Sequence, residues 1–567
     1  MAAVGENFGY KAKGYESSIE AALSELANHK IIERIWNKDY TVWNDIPTEI
    51  TNRLGWLHSP ENSNAALAEI NKFVEEVRNE KMENALLLGM GGSSLAPEVF
   101  QNIFGYKEGF LKVNVLDSTD PGAVLNMTNK FDPAKTLYIV STKSGGTIET
   151  ISFMKYFYTF VKSKLGEEVT KHFIAITDPG SGLQKMAEDL KFRKIFLNDP
   201  NIGGRYSALS LFGVVPAALA GVDVEKVLAR AKAVGEENRK ENSSSAVLGA
   251  IIGALAEKGV DKVTYISSPQ ISPFGAWVEQ LVAESTGKIG KGILPVESES
   301  VEAPEYYSND RLFVYIKLKD DKTNNAKVAK LKEAGFPVVE IIWNDLFDLG
   351  TEYMRWELAT AIASWKIKIQ PFDQPNVEAA KVLARAMIKA YNEEGKLPTL
   401  DSVIKENEIT VYGDVSGTKI KTSFNNFLEE LGNKKAVPQK YLSIQAYLTP
   451  DDKTSEALQQ LRTTIQKKYK TATTVGYGPR FLHSTGQLHK GDAGNGLFIQ
   501  FTSGIVKDAA IPEEAGNSKS SLTFGTLIQA QALGDFKALQ ENKRKAVRFD
   551  LGNDVIGGIK KLIKFIS

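Results

Sequence analysis

Between residues 84 and 199 the chain repeats one pattern, a short apolar run that ends in Gly, Ser, Thr or Asp and is in most cases followed by a helical stretch. The runs are "NALLLG", "KVNVLDST", "TLYIVST", "HFIAITDPG" and "KIFLND". Continuous apolar character marks strands buried on both faces, and intervening helices predict a parallel sheet. A helix-rich segment from "GVVPAALAGVDVEKVLARAKAVGEE" leads to a second set, "KVTYISS", "LFVYIKL" and "VVEIIW", read as a second α/β domain. After the helix around "NVEAAKVLARAMIKAYNEEGKLP", the segments "YLSIQAYL", "SEALQQLRTTIQKKY" and "TATTVGYG" predict another strand–helix–strand unit. The first 80 residues mix helical periodicity with Trp-bearing turns ("ERIWNKDYTVWNDIP") and predict a mostly helical lead-in. The expected organisation is a helical lead-in over 1–80, α/β domains over 81–235 and 236–395, and an α/β C-terminal extension over 396–567. No short-period repeat or low-complexity segment interrupts it.

At 567 residues the chain exceeds one ordinary core, in keeping with several domains. Lysine plus arginine equals aspartate plus glutamate at 69 each, so no global field draws the chain to nucleic acid or an anionic membrane. A small ligand or a protein partner fits better. The absence of cysteine excludes disulfides, thiol catalysis and Cys-ligated metal, and is compatible with a reducing compartment. No stretch approaches the roughly 18 apolar residues of a membrane span, and "MAAVGENFGYKAKGYESS" lacks the apolar core of a secretion signal. The expectation is a cytoplasmic protein without membrane attachment.

Ligands of open parallel sheets bind beyond the carboxyl ends of strands, and three strand-end loops carry suitable chemistry. In "GMGGSSLAPEVF", Gly89, Gly91 and Gly92 allow close backbone approach, and Ser93 and Ser94 open a helix whose free amides favour an anion. A dinucleotide fingerprint would need glycine where Ser94 stands, and no GxxxxGK[ST] occurs. In "STKSGGTIET", Thr142, Ser144, Thr147 and Thr150 offer hydroxyls, Gly145 and Gly146 free the backbone, and Lys143 adds a cation. Helix capping needs one hydroxyl, not four, so the loop suits a phosphate monoester. In "NIGGRYSALSLFG", Gly203 and Gly204 form a turn that presents Arg205, and Ser207 is the expected cap of the next helix.

These segments resemble the glucose-6-phosphate isomerases, a family built from two sugar isomerase (SIS) domains. "GMGGSSLAP" and "STKSGGTIET" look like the family's phosphate loops, and "GGRYSALSLFG" like its arginine turn. "WVEQLVAESTGKIGKG" resembles the segment carrying the catalytic glutamate, and "PFDQPNVEAAK" the closing signature, with Asn376 where glycine is usual. The five motifs stand in family order between residues 89 and 381. A second departure concerns histidine: none occurs between His172 and His483, whereas the family places its ring-opening histidine between the glutamate and the closing signature. Candidates lie in "GYGPRFLHSTGQLHKGDAGN" within the C-terminal extension, an arrangement that resembles the isomerase half of bifunctional transaldolase/glucose-6-phosphate isomerase proteins. No barrel of eight strand–helix units with a Schiff-base lysine is visible, so transaldolase activity is not expected from this chain and would belong to a further transaldolase domain or a separate transaldolase partner.

The resemblance implies interconversion of glucose 6-phosphate and fructose 6-phosphate through an enediolate, with no metal and no organic cofactor. It implies Glu284 as the C2/C1 base, Arg205 as the stabiliser of the enediolate, and Lys381 and His483 as the ring-opening pair. Gly92, Ser93, Thr142, Lys143, Ser144 and Thr147 would hold the phosphate, with Gln374 nearby. His483 is preferred to His489 because it follows an apolar strand, while His489 lies nearer "KGDAGN". A zinc site in "HSTGQLH" lacks an evident third ligand. A homodimer is expected by the same resemblance. The alternatives are a non-catalytic sugar-phosphate-binding SIS regulator and an isomerase that also accepts mannose 6-phosphate.

Overall fold

The five apolar runs between residues 84 and 199 form one fully parallel sheet, in the strand order Lys112–Leu116, Asn84–Gly89, Thr136–Ser141, Phe173–Thr177, Lys194–Leu197. The computed structural model describes residues 2–3, 7–432 and 438–566. The central strand Thr136–Ser141 is buried at every position, as strands covered by helices on both faces must be. Topology places the strand order reversal between Asn84–Gly89 and Thr136–Ser141, where two of the three loops emerge.

The second sheet contains the three expected strands, Lys262–Ser267, Arg311–Leu318 and Val338–Trp343, paired in parallel, with Leu294–Val296 at one edge. Its other edge departs from the expectation. Phe8–Lys11, within the stretch read as a helical lead-in, pairs antiparallel with Val338–Trp343 and carries Ala2–Ala3 outside it. The rest of the lead-in is helical, with Glu16–Asn28 packed on Ser244–Glu257 and Ser59–Asn79 against Val224–Glu237. One apolar core runs through both sheets, from Leu87 and Ile139 to Val314 and Ile341. At its centre the helix Asp348–Lys366 crosses Ser244–Glu257 closely enough that a Cβ on Gly249 would meet the Ala359 carbonyl oxygen at 2.6 Å.

The C-terminal extension has a third sheet, ordered Ile404–Glu406, Ile409–Gly413, Lys545–Asp550, Gly496–Thr502, Tyr441–Tyr447, Ala472–Tyr477. Its core, including Phe424, Leu458, Ile499 and Phe549, is separate from the first. Apolar packing at two places helps to tie it to the remainder. Ile511, Phe524 and Leu527 enter an apolar cluster with Phe153 and Phe157 of the helix Ile148–Leu165, where the Phe153 and Phe524 rings stack at 5.8 Å. The helix Val377–Glu394 lies along Phe524–Glu541, where a Cβ on Gly534 would stand 2.7 Å from the Ala384 nitrogen. Among the described residues no helix is long and apolar enough to cross a membrane.

Candidate active site

The glycines of the first loop are required by backbone contact. Gly91 has φ +55°, and a Cβ on Gly92 would stand 1.9 Å from the carbonyl oxygen of Gly204, so the first loop and the arginine turn touch main chain to main chain. Gly145, at φ +73°, likewise abuts the Leu183 nitrogen. Thr147 occupies the N-cap of Ile148–Leu165 but does not cap it; its hydroxyl lies 3.1 Å from that of Thr142. The first amides of this helix are therefore left to an anion, alongside the hydroxyls of Thr142, Ser144 and Thr147.

Two residues of these loops behave differently from the expectation. The Lys143 ammonium ion-pairs with Asp178 and donates to the Pro200 carbonyl at 2.7 Å, so its charge is already countered. Burial raises the Asp178 carboxyl against the opposite pull of Lys143. Thr150 is wholly buried, and its hydroxyl finds no partner among the described residues. A third correction concerns Ser207. It donates to the Gly204 carbonyl at 2.6 Å, and the cap of Leu211–Leu219 is Ser210, which accepts from the Phe212 amide.

Arg205, 3% exposed, has its guanidinium almost fully engaged. Nε donates to Ser285 Oγ at 2.9 Å, Nη1 to Gln374 Oε1 at 2.9 Å, and Nη2 to the carbonyls of Pro371 and Asp373. Nη1 also lies 3.1 Å from Glu284 Oε1. Glu284 projects from the buried helix Phe274–Thr286, and its Oε2 accepts from Gln280 Nε2 at 3.2 Å. The same Gln280 amide donates to the His483 carbonyl at 2.6 Å, so one side chain spans the glutamate and the histidine turn. Lys288, just past the end of the helix that bears Glu284, anchors the closing segment by donating to Asp373 Oδ1 and the Gln370 carbonyl, both at 2.7 Å. Burial and the Arg205 charge lower its ammonium to about 7.

The two histidines of the extension have opposite surroundings. His483, in the short turn Arg480–His483, reaches Glu149 Oε1 at 3.1 Å from its Nε2. Burial raises the Glu149 carboxyl, but the charge and hydrogen bond of His483, joined by a backbone hydrogen bond and the Lys381 charge, leave the group below its ordinary value. A carboxylate only accepts, so in the neutral imidazole Nε2 carries the hydrogen and Nδ1 the lone pair. His489 is 1% exposed, with Ser443 and Gln445 each 3.3 Å from a ring nitrogen. Burial, with Lys490 and Arg544 nearby, holds it well below the usual histidine range. The His483 turn is fixed by Arg480, which makes a two-pronged bond to Glu98 and lies 3.0 Å from Asp117.

The residues to which the resemblance gives roles, Gly92, Ser93, Thr142, Lys143, Ser144, Thr147, Arg205, Glu284, Gln374, Lys381 and His483, line one cleft of about 300 Å³; Thr150 and His489 do not. Sequence reasoning missed Glu149 and Gln280. Glu149 stands in the quoted Ser/Thr loop, but an acidic residue in a first helical turn is ordinary, and only its burial marks it. Asn376, the unusual residue of the closing signature, has φ −86° and needs no glycine; its amide nitrogen and side chain bond Gln487.

An uncapped helix start ringed by hydroxyls shares one cleft with a buried carboxylate–guanidinium pair beyond the ends of parallel strands. The model of the phosphoglucose isomerase family matches residues 59–300 of this chain. Glucose-6-phosphate isomerase of Thermus thermophilus is 28% identical over 381 residues, covering 59% of this chain and 89% of that protein. The Carboxydothermus hydrogenoformans enzyme of the same name is 28% identical over 413 residues, covering 62% and 89%. Among solved structures, a glucose-6-phosphate isomerase from Chlamydia trachomatis shares the fold at TM-score 0.58 and 17% identity, covering 68% of this chain and 89% of that one. A hypothetical protein from Thermus thermophilus does so at TM-score 0.59 and 24% identity, over 67% and 99%. Gln374, Lys381 and His483 lie outside the span of the family match.

Proposed function

We propose that this cleft carries out the family's aldose–ketose isomerisation with Glu284 as the base. The chain is an isomerase that interconverts glucose 6-phosphate and fructose 6-phosphate, a step of glycolysis and gluconeogenesis. The substrate phosphate sits against Thr142, Ser144, Thr147 and the free amides of the Gly/Ser and Ser/Thr loops. Lys381 and His483 open the ring: one group takes the proton of the anomeric hydroxyl while the other protonates the ring oxygen, as the bond between that oxygen and C1 breaks. Glu284 then removes the C2 proton of the open aldose, leaving a cis-enediolate whose oxyanion is stabilised by Arg205. A proton passes from O2 to O1 of the enediolate, and the same carboxyl returns the carbon-bound proton to C1 and yields the ketose. No net oxidant is needed, because C2 is oxidised as C1 is reduced. Cytoplasmic location and a homodimer belong to the same reading.

The observation that carries this assignment is the Glu284 carboxylate held 3.1 Å from an arginine immobilised by four other acceptors. A proton carried by a carboxyl exchanges with solvent, whereas a hydride shift would not. Fructose 6-phosphate converted in deuterium oxide should give glucose 6-phosphate labelled at C2, measured by proton NMR. Product free of deuterium would contradict the enediolate route.

A further inference from the structure

Behind the His483–Glu149 contact, the structure continues into the C-terminal extension. Gln531 Nε2 donates to Glu149 Oε1 at 2.7 Å, and Thr119 Oγ1 donates to Gln531 Oε1 at 2.6 Å. All three residues are buried, at 5% for Glu149, 3% for Gln531 and 0% for Thr119. The chain Thr119, Gln531, Glu149, His483 thus begins just past the end of the strand Lys112–Leu116, passes through the helix Phe524–Glu541 and returns to the helix Ile148–Leu165 before reaching the histidine turn. We propose, resting on the isomerase reading above, that Gln531 is a positioning residue for ring opening, which holds the Glu149 carboxylate aimed at His483.

The direction of the chain follows from hydrogen-bond chemistry. A carboxylate accepts only, so the Gln531 amide must turn its NH₂ to Glu149, and its oxygen then needs a donor, which Thr119 supplies. With the amide locked at both ends, Glu149 Oε1 receives two donors, Gln531 Nε2 and His483 Nε2, and the imidazole keeps one orientation and one tautomer. A simple space-filling role would be served by an apolar side chain and would need no Thr119. The arrangement also explains how residues far apart in sequence serve one step, since the extension brings together His483 and the group that orients its carboxylate partner. Gln531, Glu149, Lys381 and His483 all face a second chamber of about 780 Å³ that adjoins the cleft. Other charges near the pair are Lys381, Asp117 and Arg480, with Lys155, Arg385, Glu378 and Glu513 across the chamber and the Tyr447 phenol on the strand side.

The test is a pH profile of kcat/KM for fructose 6-phosphate with the full chain, Gln531→Leu and Thr119→Val. Removing a donor from the carboxylate disfavours its charged form, so protonation moves to higher pH. The expected result for Gln531→Leu is a kcat about 10–100-fold lower, KM within about threefold, and an acid limb moved up by about one pH unit. Thr119→Val should shift the limb in the same direction by less, and it carries the test if the leucine variant does not fold. Lowered activity with an unmoved acid limb in the folded variants would overturn the proposal, and so would an unchanged profile. Absence of isomerisation by the native chain would instead overturn the underlying functional reading.

Discussion

At the scale of single residues, the site separates groups that share a chemical type. Lys143 and Lys381 both line the cleft, but Lys143 is ion-paired with Asp178, which is why the proposal gives the proton transfer to Lys381. The two histidines divide in the same way. His483 sits against an ionised carboxylate at the cleft, while His489 is packed among Phe481, Phe498 and polar side chains of the third sheet. Replacement of His483 by glutamine should therefore lower kcat by about 10²-fold, the usual worth of a positioned acid–base group. His489→Gln should leave kcat within about twofold and instead lower the unfolding midpoint, since it disturbs buried hydrogen bonds worth about 1–3 kcal/mol. Steady-state assays and thermal melts on both variants separate the two, and the reverse ranking of kcat would exchange their roles.

At the scale of elements, the strands were legible because parallel sheets covered on both faces write continuous apolar runs, as in Thr136–Ser141. Phe8–Lys11 was not. Its four residues have one exposed and one part-buried position, too short a pattern to set against the helices that follow it. The site showed a similar division. Loops announced themselves by clustered Gly, Ser and Thr, whereas Glu149, Gln280 and Gln531 are ordinary helix residues whose roles depend on which helices the fold brings face to face. The helix Phe274–Thr286 also carries a pH signature. Burial, then the Glu297 charge, push the Glu279 carboxyl up to about 8, against the pull of Arg462 and Arg480. From its ordinary value of 4.5 to about 8 the folded chain holds one proton more than the unfolded chain, so this group's contribution to stability falls as pH rises through that window. The slope is at most about 1.4 kcal/mol per pH unit. Glu279→Gln removes the titration, and its stability should decline less between pH 6 and 8 than that of the native chain, as read by denaturant unfolding. Parallel pH dependences would show that Glu279 is charged in the fold.

At the scale of the molecule, the extension is built into the body that carries the cleft. It contributes His483 and Gln531, it packs Phe524 and Leu527 on the helix behind the phosphate loop, and it supports the helix that bears Lys381. Ending the chain after residue 400 would expose the apolar faces of both helices. The expected product is aggregated or molten, read by gel filtration and dye binding, and not a folded core that has merely lost its histidine. A soluble, cooperatively folding fragment would show that the extension is an independent appendage.

The central claim is that Glu284 moves the proton in a glucose-6-phosphate isomerase reaction. The most direct measurement supplies fructose 6-phosphate to the purified full chain and to Glu284→Gln, without added metal, and follows glucose 6-phosphate through its dehydrogenase. Native turnover with a loss of at least about 10³-fold in the variant, and sugar-phosphate binding retained by calorimetry, is the predicted result. Comparable turnover in the variant would contradict the assignment of the base, and a native chain that binds the sugar phosphate without converting it would contradict the reaction itself.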